Sequence, residues 1–338
     1  MQHARIKPHP LHRSVDDDAT ASAAAAYDEA GEDYRSYADG NAADLYAFDS
    51  RYGYGDRRVW RVLEGLLVER RAAGANTIRI LDAGCGPGTW LRRLVSRAHE
   101  LGFTTISARG FDIAGAQVRR ARVLSHDLAR LPGVHLTYEV GNMTRPFPEA
   151  DGTVDLSLCL YGVLNHLSVA SLPKVCAEFE RVTRGHFVTT VRTAGSTPSI
   201  FVDSVEKARQ FELDHNRNRC EVELRDGRHI AFNSHLFTAA ELRALVADRF
   251  EIDEMRGLDL FHGRFAPDSR WNQKSLTYHQ RLYDELDRLE EIYAADPSFM
   301  DHAAHLLLVA RRSTGKERGA IRTLSSASSS RAESSTAA

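Results

Sequence analysis

The fold of this chain is decided by one stretch of its sequence, Thr77-Ile78-Arg79-Ile80-Leu81-Asp82-Ala83-Gly84-Cys85-Gly86-Pro87-Gly88-Thr89-Trp90. Its apolar first half is typical of a short buried strand that ends in an acidic residue, and the glycines that follow indicate a tight turn. Glycine permits a positive φ and, having no Cβ, lets a ligand approach the backbone closely. Because the first N–H groups of the helix that follows point out of its end, they face such a ligand. The stretch therefore predicts a strand, a ligand-binding turn and a helix.

Strand and helix patterns alternate along the rest of the chain. Apolar strand patterns occur at about 77–82, 105–111, 134–140, 153–160 and 186–191, and amphipathic helix patterns at about 88–101, 114–130 and 169–183. This alternation predicts an α/β protein with a doubly wound, mostly parallel sheet. Two later apolar runs, Phe250–Met255 and His305–Ala310, bring the predicted number of strands to seven.

The chain ends and two long insertions differ in composition from this core. Residues 1–25 and 313–338 are poor in large apolar side chains, so we predict both to be disordered and expect one domain over 26–312. The insertion at about 194–237 predicts a helix near Phe201–Leu213 and a hairpin that turns at Asp226-Gly227. The insertion at about 258–300 predicts a polar loop and a helix near Ser275–Ala294. Because open α/β sheets bind ligands beyond the carboxyl ends of their strands, these α+β insertions are predicted to form a substrate lid.

Composition and charge exclude several classes of protein. The chain has 338 residues, 43% of them hydrophobic and 27% charged, and a formal net charge of -2 gives it no overall attraction to nucleic acid or anionic membrane. Its four cysteines form no CxxC pair, which argues against a zinc site or a disulfide framework. There is no apolar run of membrane-spanning length and no signal-peptide core after Met1. We expect a cytoplasmic enzyme with no metal, in which Asp301, His302 and His305 begin the last strand.

The glycine turn and the fourth strand together resemble a known family. Gly84-x-Gly86-x-Gly88 after Leu81-Asp82-Ala83 is similar to motif I of the class I S-adenosylmethionine-dependent methyltransferases, and it lacks the G-x-G-x-x-G of NAD enzymes. Val154–Leu167 resembles motif IV and the following loop in members that act on small molecules. The resemblance extends over about 52–201 and, in outline, beyond. It implies the Rossmann-like methyltransferase fold, with S-adenosylmethionine as cofactor and an antiparallel last strand inserted beside the fifth.

The resemblance implies a cofactor site at successive strand ends: Asp82, Gly84, Cys85, Gly86, Gly88, Asp112, Ile113, Asn142, Met143, Leu160 and Tyr161. Asp82 is implied to anchor the methionine ammonium through water, and Asp112 to accept hydrogen bonds from the ribose. Asp112 equally suits the N-cap of the next helix, and the two roles are compatible. Asn142 departs from the aspartate common in the family, although its amide oxygen is able to accept a bond from the adenine amino group. Met143 would give the ring an apolar, polarisable face.

Methyl transfer from a sulfonium is a direct displacement, so it needs alignment and desolvation and requires a base only for a protonated acceptor. His166, His235 and Tyr161 are the candidate catalytic residues, because each follows a strand or the hairpin near the predicted ligand edge. Tyr54, Arg192, His262 and Arg264 are candidates for binding substrate, the arginines through a carboxylate or phosphate. Each of these also suits a structural role. The segment 51–56, rich in aromatic residues and glycine, either folds over the cofactor or is a packed loop.

The predicted function is methyl transfer to a small-molecule metabolite, with the acceptor atom (O, N or C) undetermined. Nucleic-acid amino methyltransferases carry an Asn/Asp-Pro-Pro-aromatic loop after the fourth strand and cytosine C5 enzymes a Pro-Cys, and this sequence has neither. No clustered carboxylates suggest the metal-dependent catechol type. The alternatives are an NAD(P)-dependent oxidoreductase and a non-catalytic S-adenosylmethionine-binding protein. The sequence leaves the oligomeric state open.

Overall fold

A computed structural model describes residues 21–27, 44–48, 52–195, 208–266 and 276–313. The strands are β1 Thr77–Ala83, β2 Thr105–Asp112, β3 Val134–Val140, β4 Val154–Cys159, β5 Thr183–Arg192, β6 Ala208–Asp214, β7 Arg219–Leu224, β8 His229–Asn233, β9 Phe250–Leu258 and β10 His305–Arg312. The helices are α1 (21–27), α2 Gly53–Ala72, α3 Thr89–Glu100, α4 Gly115–Leu124, α5 Leu172–Val182, α6 Ala239–Ala247, α7 His262–Phe265, α8 Leu276–Tyr293 and α9 Pro297–Met300.

Seven strands form one sheet in the order β3-β2-β1-β4-β5-β10-β9. The first five are parallel to their neighbours, whereas β10 is antiparallel to both β5 and β9. The predicted doubly wound, mostly parallel sheet is confirmed, and so is the insertion of the last strand beside the fifth. Helices cover both faces, with α2, α3 and α4 on one apolar cluster and α5 and α6 on the other. All six residues of the central strand β4 are buried, as expected for a parallel strand packed on both faces.

A second, smaller sheet has the order β6-β7-β8 and is antiparallel. The predicted hairpin is β7–β8, and Gly227 in its turn has a φ of +87°. The helix predicted near 201–213 is wrong for residues 208–213, which belong to β6, while 201–207 lie outside the described residues. Intrinsic propensity is a weak determinant where a neighbouring strand offers partners, and β7 pairs with β6 from Gln210 to Asp214.

The N-terminal boundary also differs from the prediction. Residues 21–25, predicted to be disordered, belong to α1, and Ala23 and Ala26 are buried one helical turn apart. Ala26 packs against the apolar face of the small sheet, and the Ser22 hydroxyl donates to the carbonyl of Ala231 at 2.6 Å. The composition of the segment alone gave no sign of this, because the apolar surface that covers it lies about 200 residues further along the chain. Residues 1–20 and 314–338 lie outside the described residues.

Two smaller differences concern helix boundaries. The pattern at 114–130 divides into α4 and a 3-10 turn, Leu128–Arg130, and the polar loop predicted at 261–267 contains the short helix α7. In the described ranges, no helix has the length and apolar character that crossing a membrane requires. The same ranges contain no group of three or more His, Cys, Asp or Glu side chains arranged to hold a metal ion.

Candidate active site

A cavity opens at the carboxyl ends of β1, β2, β3 and β4, where the sequence predicted the ligand edge. Most of the predicted cofactor residues line it: Asp82, Gly84, Cys85, Gly86, Asp112, Ile113, Asn142, Met143, Leu160 and Tyr161. Of the predicted catalytic residues, His166 and Tyr161 line it and His235 does not. Four candidate substrate residues, Tyr54, Arg192, His262 and Arg264, are absent from its wall, and so is Gly88.

The glycine turn supplies backbone that approaches the cavity without side chains. Gly84 has a φ of +78°, and a Cβ built on it would lie 2.5 Å from Cγ1 of Val163. Gly86 has a φ of +52°, and a Cβ built there would meet no protein atom within 4 Å although the residue lines the cavity. The open space above Gly86 is therefore the place where a ligand can contact the turn.

Gly88 has a different role from the one predicted. It has a φ of +78° at the N-cap of α3, and a Cβ built on it would lie 2.6 Å from the hydroxyl oxygen of Tyr138 on β3. Because Tyr138 is buried and its hydroxyl accepts a bond from the Ser125 hydroxyl at 3.0 Å, the ring has little room to move. Gly88 is thus required for close packing of α3 against the sheet, a role that the sequence did not predict, and it does not line the cavity; its contact with the cofactor stays a prediction.

Asp112 organises the glycine turn from the neighbouring strand. One carboxylate oxygen accepts from the backbone N–H of Gly86 at 2.8 Å, and the other accepts from the N–H of Ala114 at 2.8 Å. The second bond is an Asx turn before α4. The N-cap of α4 is Ala114, so the N-cap role offered for Asp112 is wrong. A carboxylate has about four acceptor sites, so these two bonds leave it able to accept more from a ligand.

Asp82 lies at the end of β1 with only 2% of its surface exposed. Burial raises the pKa of this carboxyl to about 7, and the negative charge of Asp112 adds to the rise. A carboxylate in this environment gains from a cationic ligand group, because that cation offsets both causes of the shift.

Asn142 lines the cavity, but its amide oxygen is engaged elsewhere. The oxygen accepts from the backbone N–H of Thr144 and from the Thr144 hydroxyl, both at 2.9 Å. Since an amide oxygen has two lone pairs, the predicted bond from the adenine amino group to this oxygen is not available. The oxygen of Asn142 is engaged because the turn after β3 brings Asn142 and Thr144 together.

Three residues that the sequence analysis did not assign also line the cavity: Asp56, Trp90 and Arg93. Asp56, in the first turn of α2, accepts a hydrogen bond from the Tyr161 hydroxyl. Trp90 stacks on Tyr161, with ring centres 5.7 Å apart, and Arg93 lies over Trp90 at 4.6 Å. Burial lowers the pKa of Arg93, and the charge of Asp56 opposes this.

The sequence left two roles open for residues 51–56, folding over the cofactor or forming a packed loop. Asp56 lines the cavity, which supports the first role, whereas Tyr52 and Tyr54 are buried and do not line it, which supports the second. Trp90 and Arg93 lie one helical turn apart on α3, next to the glycine turn, and this spacing is the sequence feature by which they could have been assigned to the site. Tyr161 has a φ of +57°, a strained backbone that is often found at functional sites.

His166 lines the cavity, and the hydrogen-bond partners of its two ring nitrogens determine its tautomer. Nδ1 lies 2.9 Å from the carbonyl oxygen of Asn233, which accepts only, so Nδ1 carries the proton. Nε2 is therefore unprotonated, and it accepts a hydrogen bond from the hydroxyl of Tyr27, 2.8 Å away. Burial lowers the pKa of His166 to about 4; the bond to Asn233 opposes this shift and the charge of Arg192 adds to it. The imidazole is neutral at physiological pH.

His235 and Arg192 support the loop that carries His166. The backbone N–H of His235 donates to the carbonyl of Asn165, whose amide nitrogen donates to the carbonyls of Arg192 and His235. The His235 ring contacts the side chains of Asn218 and Phe237. His235 follows the hairpin in sequence but does not line the cavity, so the structure gives no support to its predicted role as a base.

Tyr54, His262 and Arg264 belong to a different region, where α7 and α8 pack on α2. Tyr54 stacks on His262 with ring centres 5.0 Å apart, and its hydroxyl donates to Glu291. His262 Nε2 lies 2.6 Å from a carboxylate oxygen of Asp287, and Arg264 donates to the carbonyl of His302. These contacts hold α7 and α8 in place and give the three side chains a structural role; their predicted role in binding substrate stays a prediction.

Comparison with known proteins bears directly on the site. Residues 80–186 match the family model described as "Methyltransferase domain". A search of the curated proteins gave no match.

Solved structures that resemble the chain include PH0226 protein from Pyrococcus horikoshii OT3, at 16% identity, with 83% of this chain and 99% of that chain covered and a TM-score of 0.49. Geranyl diphosphate C-methyltransferase from Streptomyces coelicolor A3(2) is 18% identical, with 71% and 72% covered and a TM-score of 0.42. Magnesium protoporphyrin IX methyltransferase from Synechocystis PCC 6803 is 12% identical, with 87% and 97% covered and a TM-score of 0.47. Similarities at this level carry no information about the substrate.

Proposed function

We propose that this chain, in which residues 80–186 form the methyltransferase domain of a class I S-adenosylmethionine-dependent enzyme, methylates a small molecule held in the cavity at the strand ends. One observation carries the proposal. A single cavity is lined from the ends of four adjacent strands by bare glycine backbone, two buried or half-buried carboxylates and apolar side chains. That combination suits a cofactor with a cationic amino-acid end, a ribose and a flat base.

The fit of the residues to the cofactor can be argued group by group. Asp82 is buried and its pKa is raised by burial and by the charge of Asp112; because a cation would offset both causes, we assign Asp82 to the methionine ammonium. Asp112 already accepts two backbone bonds and has capacity for the ribose hydroxyls. Ile113 and Met143 supply apolar surface for adenine. Because the oxygen of Asn142 is engaged by Thr144, we assign its NH₂ group to a ring nitrogen of adenine.

Arg93 is assigned to the carboxylate of the cofactor. It lines the cavity with 5% of its surface exposed, and burial lowers its pKa although the charge of Asp56 opposes this. A bound carboxylate would compensate that burial through charge-assisted hydrogen bonds. The bond from its Nε–H to the carbonyl of Leu45 and the contact with Trp90 hold the guanidinium in place.

The bound cofactor supplies an electrophilic methyl group on a sulfonium, whose leaving group is neutral. The protein then has to align the acceptor, exclude water and remove a proton when the acceptor carries one. His166 is suited to the last task because it lines this cavity and its neutral imidazole has an unprotonated Nε2, which accepts a hydrogen bond from the Tyr27 hydroxyl. Asp56 and Tyr161, bonded to each other, hold α2 over the loop after β4 and help to exclude water.

Calorimetric titration tests the cofactor assignment. We expect S-adenosylhomocysteine to bind and NADH not to bind. Asp112→Ala should weaken S-adenosylhomocysteine binding at least tenfold, because the variant loses both the ribose partner and the acceptor of the Gly86 N–H. Asp127→Ala, on the exposed surface, is the matched control and should bind as the wild type does. Binding of NADH alone would reject the proposal.

Transfer from methyl-labelled S-adenosylmethionine to an extract of the source organism tests the substrate class. We expect the label in the low-molecular-mass fraction, where mass spectrometry then identifies the product. Label found only in protein or nucleic acid would reject a small-molecule acceptor, and binding without any transfer would favour a non-catalytic binding protein.

A further inference from the structure

The N-terminal helix α1 contributes to the cavity although it lies far from the glycine turn in sequence. Ala23 and Tyr27 both line the cavity, whereas Ser22 and Ala26 face the small sheet. The Ser22 hydroxyl bonds to β8 and Ala26 packs in the apolar cluster of that sheet, so α1 is held in a defined position. The lid predicted from the insertions therefore includes this helix, which delivers one polar group, the Tyr27 hydroxyl, into the cavity.

A continuous chain of hydrogen bonds runs from this hydroxyl to the small sheet. Tyr27 donates to Nε2 of His166 over 2.8 Å, and Nδ1–H of His166 donates to the carbonyl of Asn233 on β8 over 2.9 Å. The rings of Tyr27 and His166 meet edge to face, with centres 5.4 Å apart. Every donor points the same way, so a proton that arrives at the tyrosine oxygen can be passed to the imidazole. A hydroxyl oxygen can accept hydrogen bonds while it donates one.

The surroundings favour a neutral acceptor with an apolar frame. Val163, Leu167 and Ala23 line the cavity with apolar surface. The guanidinium of Arg192 is the charge that acts on His166, and it disfavours a second cation nearby. An amine acceptor reaches the enzyme as an ammonium ion, which the charge of Arg192 repels. A hydroxyl acceptor arrives neutral and has to lose a proton, which this chain of hydrogen bonds can take.

Resting on the proposed function, we propose that the methyl acceptor is a hydroxyl group on an apolar molecule and that Tyr27 is the catalytic residue that receives its proton and relays it to His166. In this step a bond forms between the acceptor oxygen and the methyl carbon as the bond from methyl carbon to sulfur breaks. The acceptor O–H proton passes to the Tyr27 oxygen while the Tyr27 proton passes to Nε2. The product is a methyl ether, and the imidazolium returns its proton to water after release.

The transfer is favourable although the neutral imidazole is a weak base. A hydroxyl oxygen that is being methylated becomes far more acidic than an imidazolium, so the proton leaves it readily in the transition state. The neutral form of His166, held by burial and by the bond from Nδ1, keeps Nε2 ready without a preceding deprotonation.

The test uses phenol, 4-nitrophenol and benzylamine as acceptors with methyl-labelled S-adenosylmethionine at pH 8. We expect O-methylation of the two phenols and no transfer to benzylamine. Tyr27→Phe keeps the ring and removes the hydroxyl, so its kcat with phenol should fall about 100-fold or more. With 4-nitrophenol, which is already ionised at this pH, the loss should be no more than a few-fold. The Kd of S-adenosylhomocysteine should stay within twofold of the wild type.

Ser22→Ala is the matched control, because it removes a contact of the same helix outside the cavity. It should affect both phenols alike and only slightly. Equal losses with both phenols in Tyr27→Phe would show a purely structural role and overturn the relay. Transfer to benzylamine, or transfer in the cell extract without transfer to either phenol, would overturn the hydroxyl acceptor while leaving the proposed function intact. Failure of S-adenosylhomocysteine binding would instead reject the proposed function.

Discussion

Replacement of Gly88 by alanine separates the packing role of this residue from a role in cofactor binding. Two costs add in Gly88→Ala. A residue with a Cβ at a φ of +78° costs roughly 1–2 kcal/mol relative to glycine. The new Cβ would also lie 2.6 Å from the Tyr138 oxygen, about 0.8 Å closer than the 3.4 Å at which ordinary contact begins, and overpacking of this kind costs about 1–3 kcal/mol. We therefore expect the free energy of unfolding to fall by about 2–5 kcal/mol.

Two other glycines with positive φ provide matched controls for the same assay. Gly74→Ala, at a φ of +88° after α2 with no atom within 4 Å, should show the backbone cost alone, about 1–2 kcal/mol. Gly86→Ala should show a similar loss of stability, because its Cβ also meets no protein atom. That Cβ enters the cavity, however, so Gly86→Ala should weaken S-adenosylhomocysteine binding at least tenfold.

Urea denaturation of the three variants gives the stability changes, and calorimetric titration gives the affinities. Gly88→Ala should bind S-adenosylhomocysteine within a few-fold of the wild type once folded. The reasoning is refuted when Gly88→Ala loses no more stability than Gly74→Ala, or when it loses as much affinity as Gly86→Ala.

Three further predictions concern charged and titratable groups. The pKa of Asp82 is raised to about 7, so the affinity for S-adenosylhomocysteine should rise as the pH increases toward 7. Below pH 7 the rise should be up to about tenfold per pH unit. Asp82→Asn should abolish this pH dependence, as measured by titrations at pH 6 and 8. The pKa of His166 falls from 6.5 to about 4 on folding, so the unfolded chain takes up a proton first as the pH falls. The free energy of unfolding should therefore decrease by about 2 kcal/mol more between pH 7 and pH 5 in the wild type than in His166→Gln. Urea denaturation at the two pH values measures this difference. Asp155 is 4% exposed, pairs with Arg70 at 2.6 Å and with Arg184, and accepts a hydrogen bond from a backbone N–H. Asp155→Asn should therefore lower the free energy of unfolding by about 1–3 kcal/mol. Asp151 pairs with Arg181 on the exposed surface, so Asp151→Asn should lower it by less than about 0.5 kcal/mol in the same assay.

The site shows how far local sequence extends toward function. Asp82, Gly86 and Asp112 were identified because each follows a buried strand, and parallel strands bring their carboxyl ends to one edge. Asn142 was placed correctly in the cavity wall, yet the role of its oxygen depends on a bond to Thr144 that no spacing rule predicts. His235 also follows a strand of the hairpin, but that hairpin turns its ring away from the cavity toward Phe237.

The sequence by itself determined the seven-stranded sheet, the glycine turn and the edge at which the cavity lies, because strand burial, turn geometry and helix starts are encoded within a few adjacent residues. Only the tertiary structure decided that 208–213 pair as a strand, that Gly88 packs on Tyr138, and that Tyr27 reaches His166 across 139 positions of sequence. Periodicity reports which face of an element is buried and says nothing about which other element covers that face. The residues that surround the methyl acceptor depend on that second choice, so they emerge only when the chain is folded.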